Sequence, residues 1–426
     1  MLVERRIRDG LARNAGAVDP DVDQFLDTVR RRGRRRVIAR RVAAGLAAAA
    51  VVAAGIAVGP QAIRAVRHPA HPAPPVRPGP KPGPPTLYVA SGSSVTPISI
   101  ASNTPGKPIK VGSVTPGSAD IIAITPDGKT AYVANSTSAT ITPVNTATNT
   151  PGQPIHLSAG PEHGPSFIAI TPDGKTAFVT DEGLGTVTPV NTATGKAGNP
   201  ISFTPGSGSR IVITPDGKTA YTPSGSNVMP ISTATNRAGN PISVGTGQAA
   251  NINPVFIAIT PDGKTVYAAD QGLNAVTPIS TATNRAGSPI PVGSGPVWIA
   301  ITPDEKTAYV ANSDSSTVTP IHTATGRPGQ PIRVGRPPDQ IVITPDGKTA
   351  YVASGSSVTP ISTATNTPGQ PIPVGPGPVW IAITPDGKTL YAATAGSVIP
   401  ISTATNTPGQ PIHVGGTSPP AIAITP

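Results

Sequence analysis

The sequence predicts an all-β protein, an eight-bladed β-propeller with a composite closing blade, preceded by one N-terminal transmembrane helix. Three observations predict the ring. A tetrapeptide, ITPD, returns at intervals of 40 to 46 residues, with aspartates at 127, 173, 216, 262, 304, 346 and 386. Each period carries the same succession of strand and turn residues. The two ends of the array carry complementary parts of one such unit. The helix rests on a separate run of 17 uncharged residues, 42–58.

Periods near 40–45 residues are the mark of propeller blades. One unit runs Ile168-Ala169-Ile170-Thr171, then Pro172-Asp173-Gly174-Lys175, then Thr176-Ala177-Phe178-Val179, then Thr186-Val187-Thr188-Pro189-Val190. The first piece is a short apolar strand. Proline presets φ at the first corner of the turn and glycine supplies positive φ. The return strand is rich in β-branched and aromatic residues, and T-V-T-P-V is a third strand. The S-T-A-T-N-x-x-G-x-P-I stretch of most units turns into a fourth, outer one. We label the four A to D from the axis outward. No unit buries both its faces alone, so units must stack around an axis. Seven tyrosines (88, 132, 221, 267, 309, 351 and 391), with Phe178 as the eighth member, share one slot of strand B and are expected to pack between blades.

The array opens at Thr86-Leu87-Tyr88-Val89-Ala90, a B strand with no A strand before it. It stops at Ala421-Ile422-Ala423-Ile424, an A strand with no B strand after it. Joined, they complete an eighth blade and remove the exposed sheet edges of an open arc. Proline recurs in strand C of every unit, from Pro97 to Pro400. It removes a ladder donor, so strand D is expected to be short or loosely held.

The chain has no cysteine, which excludes disulfides, thiolate metal sites and cysteine nucleophiles. Its net charge of +11 is unevenly spread, with +10 in residues 1–85 and +1 in 86–426. The usual inference from a basic chain to nucleic acid therefore does not reach the large domain. Residues 1–41 form a basic segment ending in Arg30–Arg32, Arg34–Arg36, Arg40 and Arg41. The uncharged run 42–58 would span about 26 Å as a helix. Arginines on its N-terminal side place 1–41 in the cytoplasm and the rest outside the plasma membrane. A cleaved signal peptide is the rival, against which stand the long n-region and the lack of a clean A-x-A site. Residues 59–85 are a spacer, and nine of the 18 residues in 68–85 are proline, a polyproline II segment of ~55 Å.

Tyr132-Val133-Ala134-Asn135 and Tyr309-Val310-Ala311-Asn312, each after I-T-P-D-x-K, resemble the YVTN-family β-propeller repeat. The resemblance covers 86–426 and implies a secreted or surface propeller akin to lactonase-like propellers. Where that family's third strand ends in Val-Ile-Asp, this chain has Asn145, Ser232, Ser362 or His322.

Residues repeated in every blade are explained by folding, so function is sought in departures on one face. Outside the T-P-D-G-K turns seven acids remain, Asp120, Glu162, Asp181, Glu182, Asp270, Asp314 and Asp339, and all fall on B–C or D–A loops. The C–D loops carry Lys107, Lys196, Arg237, Arg285 and Arg327 and no acid. One rim is therefore acidic and the other basic. Asp181, Glu182, Asp270, Asp314 and Asp339 are candidate ligands of a hard cation such as Ca²⁺, or else solvated loop residues. No cofactor is otherwise implied. Just ahead of the A strands stand Phe167, Phe256, Trp298 and Trp380, with Arg210, Asp120 and Gln340 at or beside the matching place. These are candidates for stacking on a sugar or heterocycle, or for blade-to-blade packing. His163 lies on an insertion of the same face. No Ser-His-Asp triad or histidine metal set can be assembled by residue type.

The expected role is binding or scaffolding by the acidic face, displayed from the membrane, for a small-molecule, glycan or protein ligand. A lactonase- or lyase-like hydrolytic propeller and an inert adhesive module are the alternatives.

Overall fold

The computed structural model describes residues 85–426 apart from 113–120, 158–163, 205–209, 245–253, 376, 378–379 and 417–419. The basic segment, the apolar run and nearly all of the spacer lie outside the described residues. Among the described residues no helix is long and apolar enough to cross a membrane.

The array folds into eight sheets, each ordered A-B-C-D. We number the blades by their B strands. Blade 1 holds Thr86–Ser91, blade 2 Thr130–Asn135, blade 3 Thr176–Asp181 and blade 4 Thr219–Ser224. Blades 5 to 8 hold Thr265–Asp270, Thr307–Asn312, Thr349–Ser354 and Thr389–Thr394. Blade 1 is the composite one: Ala421–Ile424 pairs antiparallel with Thr86–Ser91, Leu87 opposite Ile424 and Ala90 opposite Ala421. The amide of Thr425 donates to the Thr86 carbonyl at 3.0 Å, and the Thr86 amide to Thr425 Oγ1 at 2.8 Å. The last strand thus closes the ring.

Strand period explains the core. Successive B-strand side chains point to opposite faces of the blade. Tyr88 and Ala90 pack with Ala131 and Val133 of blade 2, while Leu87 and Val89 pack with Tyr391 and Val398 of blade 8. Every blade boundary is filled this way, so the core is eight apolar wedges. Burying side chains of this size is worth roughly 1.5–3 kcal/mol each.

The A–B turns are Asx-type locks. In blade 2, Thr125 Oγ1 donates to Asp127 Oδ1 at 2.7 Å, the Lys129 amide donates to the same oxygen at 3.1 Å, and Gly128 takes φ 71°. The Thr130 amide then donates to Thr125 Oγ1 at 3.0 Å. These aspartates are consumed by folding.

Strand D departs from a regular fourth strand, as the strand C prolines led one to expect. It is split into two two-residue pieces that both pair with strand C. In blade 3, Lys196–Ala197 pairs with Val190 and Asn191, and Ile201–Ser202 pairs with Thr186 and Val187. Between them the chain runs opposite Pro189. The Gly198 amide donates to the Pro189 carbonyl at 2.7 Å, and the same bond recurs from Gly106 to Gly409 in all eight blades. A Cβ on Gly198 would stand 3.1 Å from Pro189 Cγ. The repeated glycine therefore answers the repeated proline. It lies close over the ring and uses the one backbone group proline still offers.

Candidate functional site

The A strands line the axis, and one register position decides what stands at its mouth. Phe167 faces Thr180 of strand B, Phe256 faces Ala269, Trp298 faces Ala311, Gln340 faces Ala353 and Trp380 faces Ala393. Arg210 stands two residues before Val212, which opens strand A of blade 4. Blades 5, 6 and 7 each have a register shift just before this position, and the bulged residue in blade 7 is Asp339. Bulges re-aim side chains.

The side chains meet. Phe256 and Trp298 have centroids 4.4 Å apart at 39°, and Trp298 meets Trp380 edge to face at 6.2 Å. Arg210 Cζ lies 4.5 Å from the Phe167 ring, 4.4 Å from Phe256 and 4.2 Å from Trp298. Contributions from blades 3, 4, 5, 6 and 8 can touch this closely only near the axis. The guanidinium sits deep enough among the rings for desolvation to pull its pKa down to about 9, which leaves it charged at neutral pH. Trp298 is pinned from behind, its Nε1 donating to the Ile341 carbonyl at 2.9 Å. Gln340, 6% exposed, accepts the Ile381 amide on Oε1 at 2.6 Å. The two bonds tie blades 6, 7 and 8 together beneath the rings. Of the two expected readings of the aromatic positions, packing between blades is what the contacts show. The rings pack between blades, and in doing so they cage a cation.

The acids behave differently. Asp181 and Asp270 end their B strands and are buried, 4% and 1% exposed. Each caps its B–C turn, accepting the Leu184 amide on Asp181 Oδ1 and the Leu273 amide on Asp270 Oδ1, both at 3.0 Å. Their Oδ2 atoms are buried with no partner, and burial pushes the Asp270 carboxyl above the usual carboxylate range. Asn135 and Asn312 hold the same slot, each donating from Nδ2 to threonine hydroxyls of strand C. Glu182, whose amide donates to Ser166 Oγ at 3.0 Å, and exposed Asp314 lie on B–C turns. Asp339 lies at the D–A side, its carboxyl raised by desolvation. Among the described residues no three His, Asp or Glu side chains come together to hold a metal ion. Asp181, Glu182, Asp270, Asp314 and Asp339 thus form no shared Ca²⁺ site there. The reason is register: two are turn caps and the others are spread over separate blades. Asp120, Glu162 and His163 lie outside the described residues.

Residues 84–327 match the family described as lactonase, 7-bladed beta-propeller. The chain belongs to that family. The matched stretch is more than half of the chain and ends where strand D of blade 6 begins. This family member closes with eight blades where the family's description has seven. Among solved structures it is similar to hydrazine synthase of Kuenenia stuttgartiensis, with TM-score 0.56, 23% identity, and coverage of 68% of this chain and 97% of that one. It is also similar to the dihydro-heme d1 dehydrogenase NirN in complex with DHE, with TM-score 0.65, 13% identity, and coverage of 80% and 74%. At these identities the likeness is one of fold. No curated protein matches.

Proposed function

We propose that this chain is a ligand-binding propeller held outside the plasma membrane by residues 42–58, and that it binds at the mouth of its axis. The observation that carries the reading is the convergence of Phe167, Phe256, Trp298 and Trp380 around Arg210. Ring faces and one fixed charge are the components of a small-molecule or glycan site. The arrangement departs from the repeat, so the fold alone does not require it. The acidic rim then acts as surroundings that repel polyanions, nucleic acid among them, with Asp181 and Asp270 as its structural part.

Both tryptophans of the chain, Trp298 and Trp380, stand at this site, so tryptophan fluorescence, excited apart from the tyrosines, reports on it alone. The full chain should give a saturable change with some member of a panel of sugars, lactones and aromatic heterocycles. A panel with no response defeats the reading. For the anchor, the chain should sediment with membranes and resist alkaline extraction, and external protease on intact cells should remove the propeller.

Family membership favours a second reading, hydrolysis of a lactone. Arg210 would stabilise the oxyanion that develops on the ring carbonyl, and Asp339, with its raised carboxyl, is the described candidate for a base at that rim. Turnover of a lactone that disappears in both Arg210→Gln and Asp339→Asn would establish it, and a flat panel would exclude it.

A further inference from the structure

We infer that the ligand of the axial site carries a monoanionic carboxylate, and that it is received edge-on by the Arg210 guanidinium. The inference rests on the site proposed above and names its ligand chemistry.

Three facts lead to it. Three rings stand around Cζ at 4.2–4.5 Å, and ring carbon offers the N–H edge of the guanidinium no oxygen acceptor. Among the described residues no carboxylate, carbonyl or hydroxyl accepts from that edge, and no ion pair reaches it. Nor is any nitrogen of Arg210 among the side-chain atoms sealed from solvent without a partner, so an acceptor can reach the donors from outside. A guanidinium carries five in-plane donors, and two of them match the two oxygens of a carboxylate in one plane.

The surroundings select further. An arginine held by rings loses little freedom on binding, which favours a planar, bidentate partner over a point contact. The rim carries Glu182, Asp314 and Asp339 and no described basic residue but Arg336. A doubly charged anion meets net repulsion on the way in, whereas a single carboxylate meets less. Trp380 stands edge to face with Trp298, one ring beyond the cage, and offers an apolar surface to the body of the ligand.

The test uses the tryptophan fluorescence of the full chain, with three probes: benzoate, benzyl alcohol and inorganic phosphate. Benzoate is expected to give a saturable change that benzyl alcohol and phosphate do not match. Arg210→Gln should abolish the benzoate response. Arg210→Lys, which keeps the charge and guards against a folding artefact, should weaken it roughly tenfold or more, because an ammonium lacks the fork. Equal benzoate binding in wild type, Arg210→Lys and Arg210→Gln overturns the inference, as does phosphate binding as well as benzoate. If benzyl alcohol binds as well as benzoate and survives Arg210→Gln, the axial site stands and its carboxylate chemistry falls. If no probe or panel ligand registers, both fall.

Discussion

Tyr391 donates its phenol proton to Oδ1 of Asn103 at 2.6 Å, across 288 residues of chain. The same bond joins Tyr309 to Asn366 at 2.6 Å and Tyr88 to Asn149, Tyr221 to Asn284 and Tyr351 to Asn406 at 2.7 Å. Each asparagine sits in the C–D turn of the next blade at φ between 51° and 56°. One residue thus supplies both a left-handed corner and an acceptor for the preceding blade. The bond from Tyr391 spans the closure between blade 8 and blade 1. Tyr391→Phe should cost about 1 kcal/mol, and removal of residues 421–426 should cost far more, since it strips strand A from blade 1. Urea titrations of the three proteins check the ranking. Phe178 holds the tyrosine slot of blade 3 without a hydroxyl, so one boundary does without this bond.

Tyr267 is the counter-example that suggests a stabilised variant. The position that should hold its acceptor is Gly326, at φ 64°, and among the described residues the Tyr267 hydroxyl has no partner. A cleft of about 380 Å³ opens there between blades 5 and 6. A Cβ on Gly326 would meet nothing closer than Ile290 Cδ1 at 3.5 Å. Gly326→Asn should therefore raise the melting temperature, by up to about 1 kcal/mol of stability. The gain should shrink in a Tyr267→Phe background, which separates the hydrogen bond from the glycine effect.

Asp270 should be replaceable with profit. Burial raises its carboxyl pKa in the folded protein, so this group's favourable contribution is full below the unfolded value of about 4 and is lost as pH rises through the folded value. At neutral pH the ionised carboxylate is a liability. Asp270→Asn keeps the oxygen that accepts the Leu273 amide and copies Asn135 and Asn312. Its melting temperature should exceed that of the wild type at pH 7, and the difference should vanish below about pH 4. A loss of stability at pH 7 would mean that Oδ2 meets a cation.

The seven turn aspartates have the opposite sign. The threonine hydroxyl, followed by the lysine amide, holds Asp127, Asp173, Asp216, Asp346 and Asp386 below the usual carboxylate range, and Asp304 to about 2. Asp262 is lowered first by its lysine and then by Thr260. Their contribution is complete above the unfolded value of about 4 and is lost as pH falls below it toward the folded values. Thermal melts should decline steeply from about pH 4 downward. Thr384→Val should lower stability at pH 7 and soften that decline by one group's share.

How much of this was legible in advance depends on whether a residue repeats. The ITPD period, the tyrosine slot and the split array ends recur or complement each other along the chain, so blade count and closure could be read directly. The proline in strand C announced trouble in strand D. What it could not announce was the remedy, a glycine folded over the proline ring, because that pairing is a contact in space. The asparagine of five C–D turns was visible as a turn residue and invisible as a partner of a tyrosine 55 to 63 residues away, or 288 at the closure.

By itself the sequence determined the ring, its eightfold count and its composite blade, since each follows from local strand and turn chemistry repeated in register. Only the tertiary structure decided what the departures do. Closure brings one position from each of several blades to a single axis, and there Arg210, visible in the sequence only as a departure from the repeat, is surrounded by rings from blades 3, 5 and 6. The same closure turned Asp181 and Asp270 inward as turn caps and left Glu182, Asp314 and Asp339 on separate blades, which is why charge counted along the chain did not become a metal site among the described residues.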